Sequence, residues 1–298
     1  MSSEKFFTTK KALITLIAAS LVVIVSLGIR QTFGLFFFDF NADLNISISH
    51  FGFVIGLQLL MWGVFSPIFG FITDRYGGAT AIFIGFLFYL AGLFLFYSGL
   101  NTGYLFTLTI GLLIGIGLGG TAISIPVSVV AKHFPSSNRT IATGIVTCAG
   151  SFGFFVSPLL VRYSLIEIGW EITILYFCFL LGIGLITALF ISTPKTPVGN
   201  NDNNNQTAKE ALIEAFNNKS FIFLTLGFFV CGWHIALVAT HIPTYMMDRG
   251  MPDWTAAMIL ALVGVFNMIG TMGSGYLATK FSKKKVLSAI SVSYTHLR

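Results

Sequence analysis

Arg30 stands in Gly28-Ile-Arg30-Gln31-Thr-Phe-Gly34, inside an otherwise apolar run. A charged side chain at such depth costs about 2.5–3.5 kcal/mol on membrane-insertion scales, so it needs water or a partner. Its guanidinium offers two parallel N–H donors to a carboxylate, which suits it to hold a small organic anion. In the competing reading, Arg30 lies beyond the middle of its run and snorkels to the nearer interface. Cys231-Gly-Trp233-His234-Ile-Ala-Leu-Val-Ala-Thr240-His241-Ile-Pro243 supplies two further groups. His234 and His241 are two helical turns apart and share one helix face. About 10 Å of axial separation makes them a poor metal site, so they suit contact with a substrate or proton, or plain hydrogen-bonded packing. Gln31, Gln58, Trp62, Ser124 and Asn267 are weaker candidates, each able to bond a neighbouring helix carbonyl instead.

The three cysteines, Cys148, Cys178 and Cys231, show neither metal spacing nor a disulfide framework and read as packing residues. No nucleophile or metal constellation accompanies the histidines, so nothing points to an enzyme. No metal and no cofactor are expected. Asp39, Glu167, Glu171 and Asp248 all fall at or beyond the ends of apolar runs, so no run carries a carboxylate in its middle. Proton-driven transport would then use a histidine or a carrier elsewhere, and anion exchange is the other option.

The elements that must hold these residues are long apolar helices. Hydrophobic residues make up 55% of the chain and charged residues 9%, with a mean hydropathy of +0.86. A soluble domain carries about 25% charged residues, so this chain has too few to cover a globule. Runs long enough to cross a bilayer lie near 12–38, 50–73, 79–99, 104–131, 140–163, 170–192, 220–246 and 254–279, and a ninth begins around Lys285. Backbone polar groups in lipid must be satisfied within the chain, which favours helices, and the alternating strands of a β-barrel are absent. The chain reads as an all-α polytopic membrane protein with the lipid bilayer as its surroundings.

Net charge is +6, yet 13 of the 17 Lys and Arg fall in segments on one side of these runs. Examples are Lys10, Lys11, Arg75, Lys132, Arg139 and Lys280. By the positive-inside rule the N-terminus is cytoplasmic, and the charge reflects topology rather than a nucleic-acid surface. The first apolar run is too long for the core of a cleaved signal peptide. Residues 193–219 form a polar linker that contains Asn-rich sequence and a short amphipathic segment, AKEALIEAFN. Gly111, Gly115 and Gly119, with Gly144, Gly150 and Gly153, recur at spacings that let helix backbones approach closely.

Gly70-Phe-Ile-Thr-Asp74-Arg75-Tyr-Gly77-Gly78 is a short charged turn between two apolar runs. A fainter copy, Gly275-Tyr-Leu-Ala-Thr279-Lys280-Phe-Ser-Lys283-Lys284, follows 205 positions later. The first resembles the loop between the second and third helices of the major facilitator superfamily of membrane transporters, and two copies suit its two homologous halves. The resemblance implies the major facilitator fold: a complete six-helix bundle over 1–192, the linker 193–219, and a partial second bundle over 220–290. A matching second half would need four further spans. Ser291–Arg298 breaks the apolar pattern and resembles translated sequencing adapter, so 291–298 reads as an artefactual tail on a C-terminally truncated chain. A natural short variant is the alternative.

The resemblance also assigns roles. Its first and seventh helices line a central cavity, so Arg30, Gln31, His234 and His241, with Asn267, become expected substrate contacts. Gly70, Asp74, Arg75 and Gly77 become a conformational latch, with Asp74 reaching a helix N-terminus in the other half. Within the superfamily, Gly28-Ile-Arg30-Gln-Thr-Phe-Gly34 and the Trp233-His234 and Thr240-His241-Ile-Pro243 segments resemble the bacterial monocarboxylate and oxalate/formate antiporter group. Ser192-Thr-Pro-Lys-Thr stands where sugar porters carry Pro-Glu-Ser-Pro-Arg. The expected function is secondary active transport of a small organic anion, a monocarboxylate or dicarboxylate, by a monomer in the cell membrane, with a coupled proton or an exchanged anion. A neutral or amphipathic solute is the alternative cargo.

Overall fold

A computed structural model describes residues 10–191, 208–282 and 285–290. The tail expected at 291–298 and most of the linker, 193–207, lie outside the described residues. Helix α1 spans Lys10–Gln31, and a 3-10 turn, Phe33–Phe36, joins it to α2, Phe37–Leu44. Two long helices follow, α3 over Ile48–Tyr76 and α4 over Gly78–Tyr97. The fourth pass is built from pieces: α5 (Gly103–Phe106), a π-helical stretch (Thr107–Leu113), α6 (Ile114–Thr121) and α7 (Ser124–His133). Helix α8 runs from Ser136 to Ala188, α9 from Ala208 to Asn217, α10 from Lys219 to Asp248 and α11 from Asp253 to Lys280. Residues 285–290 are again helical. No strand occurs among the described residues.

Among the described residues, seven helical stretches are long and apolar enough to cross a membrane. One of them, α8, supplies two passes. Gly169 breaks it with φ 78° and ψ 172°, in the region open chiefly to glycine. Ser164 and Thr173 then share a 2.9 Å hydrogen bond across the turn. In a continuous helix nine residues would separate them by about 13 Å, so the chain folds back there. The eight apolar runs of the sequence therefore correspond to eight passes among the described residues, and the protein is a multi-pass membrane protein. The face at which α1 begins is called the near face below, and the other the far face.

Close glycine contacts hold the passes together. A methyl group at Gly115 would lie 2.7 Å from the Gln58 carbonyl oxygen and 2.7 Å from Met61 Cβ, and Gly111 and Gly119 meet α3 on the same face. Opposite that face, Gly117 abuts Tyr89 of α4. Gly150 and Gly153 press on Val23 and Ile24 of α1, but Gly144 has nothing within 4 Å and makes no close approach. At the far face Phe40 is the hub of an aromatic cluster with Phe36, Phe96, Phe106 and Trp170, at centroid separations of 5.2–5.9 Å. Trp170 Nε1 donates to Asp43 at 2.6 Å, tying the fold-back of α8 to the end of α2.

Helices α10 and α11 lie against this bundle along two seams. Gly34, in the 3-10 turn, meets Ala239, Thr240 and Pro243 of α10, and Gly264 of α11 packs onto the backbone of Phe154 and Phe155 in α8. The near half of α10, residues 221–230, is exposed throughout.

Candidate substrate site

Arg30 sits in the last turn of α1, only 4% exposed. Nε and Nη2 are buried with no hydrogen-bond partner. The side chain therefore does not snorkel. It is enclosed in the bundle. Among the described residues no carboxylate pairs with it; the ion pair of Lys132 with Asp74 lies at the near face. Leaving a buried donor unpaired costs about 1–3 kcal/mol, and more for a charged group, so Arg30 is a group that calls for an acceptor.

Below Arg30 three helices converge on hydroxyl groups. Tyr89 Oη donates to the Ser26 carbonyl at 3.4 Å. Ser26 Oγ and Thr121 Oγ1 lie 2.7 Å apart, and Thr121 Oγ1 also donates to the Gly117 carbonyl at 3.0 Å. All three residues are buried. None stood out in the sequence, because isolated Ser, Tyr and Thr in apolar runs are common. The available signal was spacing: Ser26 is four residues before Arg30 and so shares its face.

The expected contacts do not all gather around Arg30. Gln31 is 1% exposed with its Oε1 unpaired. Gln58 is fully buried, and its Nε2 donates to the Ile110 carbonyl of the π-helical stretch at 3.0 Å, leaving Oε1 unpaired. Since Gly34 faces Ala239 and Thr240, Arg30, one turn nearer the near face, is level with about residue 235 of α10, between the two histidines in depth. The histidines nevertheless sit nearly half a turn around α10 from Ala239, Thr240 and Pro243, the residues that meet Gly34. His241 is directed to α3, its Cε1 3.6 Å from where a methyl on Gly52 would be. His234 is exposed, with Nδ1 against the Val230 carbonyl at 2.9 Å. Asn267 and Ser124 are exposed and Trp62 half-buried.

At the near face, Gly77 ends α3 with φ 96°, which explains a glycine at this point of the turn. Asp74 accepts from Lys132 Nζ at 2.8 Å, so its partner here is the end of α7. Arg75 lies over the Tyr76 ring at 5.6 Å, and Gly70 has nothing within 4 Å.

Comparison with known proteins agrees with this architecture. The chain is 24% identical over 289 residues to the agnestins efflux protein AgnL12 of Paecilomyces divaricatus, covering 95% of this chain and 64% of that protein. It is 23% identical over 268 residues to the hexuronate transporter of Bacillus subtilis (strain 168), covering 84% and 60%. The chain thus spans about three-fifths of the length of these relatives. A solved structure, the D-xylose-proton symporter, superposes with a TM-score of 0.65 at 16% identity, over 90% of this chain and 69% of that one, and so shares the fold. The sequence profile described as Major Facilitator Superfamily matches residues 19–295, nearly the whole length, and the chain belongs to that superfamily.

Proposed function

We propose that the protein is a secondary active transporter that moves a small organic anion, a mono- or dicarboxylate, by alternating access. The observation that carries this reading is Arg30: an enclosed guanidinium with two nitrogens unpaired and no carboxylate among the described residues to neutralise it. A carboxylate supplies the charge and the paired acceptors that such a group lacks. A relative named for hexuronates, which are carboxylated sugars, supports the same class. In this reading 1–192 and 220–290 are the two parts that rock about the site, joined by 193–219, and the near face is cytoplasmic in the cell membrane. Gln31, His234, His241 and Asn267 are further contacts reached at other stages of the cycle. The absence of a mid-span carboxylate among the described residues favours anion exchange, or a proton carried by histidine, as the coupling step.

A second reading keeps the mechanism but changes the cargo to a neutral or amphipathic solute, and the efflux protein among the relatives favours it. Uptake of labelled lactate, pyruvate, formate and oxalate into proteoliposomes, with and without Arg30→Ala, separates the two. Anion transport requires uptake that collapses in the variant while the protein still inserts. Uptake indifferent to Arg30 returns the cargo to neutral solutes.

A further inference from the structure

We propose that the open groove between α1 and the end of α8 is a binding site for an anionic phospholipid of the near leaflet. One acyl chain lies in the groove and the headgroup sits on Lys10 and Lys11. Ile14, Ile17, Ala18 and Leu21 form one wall, and Thr187 and Phe190 form the other. All but Ala18 and Thr187 are exposed, so the groove opens on the outside of the bundle. Its one side-chain hydroxyl is spent within its own helix, where Thr187 Oγ1 donates to the Gly184 carbonyl at 2.7 Å. The walls therefore present hydrocarbon to whatever enters, which suits an acyl chain and penalises a polar solute.

Helical spacing sets the two lysines over one end of this groove. Lys10, Ile14, Ile17, Ala18 and Leu21 recur three or four residues apart, and Lys11 precedes Ile14 by three. They thus form one stripe of α1. The lysines stand about 15 Å along the axis from Leu21. That is about half of a roughly 30 Å hydrocarbon core, the depth of a single leaflet. A chain entering beside Lys10 and Lys11 would reach Leu21 near the middle of the bilayer.

Charge selects the headgroup. Lys10 and Lys11 are both exposed, and their stems can follow the apolar stripe while the ammonium groups reach the headgroup layer. Neither α1 nor residues 172–191 contain an Asp or Glu, so no carboxylate on either wall competes with a lipid phosphate. Basic side chains over a cleft between membrane helices attract anionic headgroups for this reason.

The purified protein in detergent micelles is titrated with dioleoyl phosphatidylglycerol or dioleoyl phosphatidylcholine, and the lipid-bound fraction is read by native mass spectrometry. Phosphatidylglycerol is expected to bind about tenfold or more tightly than phosphatidylcholine. Lys10→Gln with Lys11→Gln is expected to lower its affinity about twenty-five-fold, fivefold for each lysine. Lys219→Gln with Lys285→Gln removes two exposed lysines of the near face that lie outside the groove, and is expected to change it less than about twofold. Ile17→Trp places a ring at an exposed wall position and leaves the core intact. It is expected to weaken both lipids about fivefold or more by displacing the chain. Equal affinity for the two lipids would give the groove to any acyl chain. Equal losses in the two double variants would reduce it to attraction by surface charge. Unchanged affinity in Ile17→Trp would remove the chain from the groove. Each of these three results overturns the proposal.

Discussion

Gly34 and Ala239 meet across the seam between the 3-10 turn and α10 with no room for a side chain: a methyl on Gly34 would lie 2.5 Å from the Ala239 carbonyl oxygen. Thr240 O and Pro243 Cγ are next, at 3.2 and 3.3 Å. Two of the three obstacles are backbone carbonyls, which cannot swing aside as a side chain would. This contact closes the far end of the seam, while residues 221–230 of α10 remain exposed toward the near face.

Gly34→Ala is therefore expected to act on one conformation more than on the fold. Overpacking costs about 1–3 kcal/mol, and here it falls on the arrangement in which the far ends touch. Transport by Gly34→Ala should drop about tenfold or more while the protein inserts normally. A cysteine at Thr240 should become more reactive to a membrane-impermeant reagent applied from the far side. Equal labelling with and without the substitution would mean that the seam does not open there.

Glycine position matters in a second, purely energetic way. Gly115→Ala drives a methyl against the Gln58 backbone and Met61, and should destabilise the protein by about 1–3 kcal/mol. Gly144→Ala meets nothing within 4 Å in a helix interior and should be neutral or stabilise by up to about 1 kcal/mol. Thermal unfolding in detergent of the two variants side by side checks the contrast, and similar shifts for both would contradict the packing described here.

That contrast also marks what the sequence could tell. Spacing alone placed the eight passes, because a bilayer sets their length. It also singled out Arg30, because a lone charge in an apolar run has few explanations. Spacing could not say which glycines touch a neighbour: Gly144 and Gly150 look alike in sequence, and only the second faces α1. Nor could it find Ser26, Tyr89 and Thr121, whose meeting depends on which helices are adjacent. The break between the runs 140–163 and 170–192 was legible too, though not that Gly169, with φ 78°, is the residue that makes it. The histidine pair shows the converse: its shared face and depth were legible, but the rotation of α10 that turns His241 toward α3 was not.

Asp74 offers a separable test of the near-face turn. Its contact with Lys132 is solvent-accessible, with side-chain exposures of 72% and 36%. Exposed pairs of this kind contribute about 0.2–1 kcal/mol, so Lys132→Ala should change stability little. If Asp74 also serves as a latch to the other half, Asp74→Asn should slow transport severalfold more than Lys132→Ala does. Equal effects on uptake in proteoliposomes would confine Asp74 to its bond with Lys132.

Gln58 can be assigned by the same logic. Its amide spends its donor on the Ile110 carbonyl inside the π-helical stretch, where the regular ladder of the fourth pass is interrupted. Gln58→Leu leaves that buried carbonyl without the amide and should cost about 1–3 kcal/mol, partly offset because the unpaired Oε1 disappears with it. A supporting role predicts lower thermal stability and an unchanged KM for whichever solute shows Arg30-dependent uptake, measured per inserted molecule. A role in binding predicts the reverse, a raised KM with stability intact. The existing bond to Ile110 favours the first outcome, and a KM shift of tenfold or more would move Gln58 into the substrate site beside Arg30.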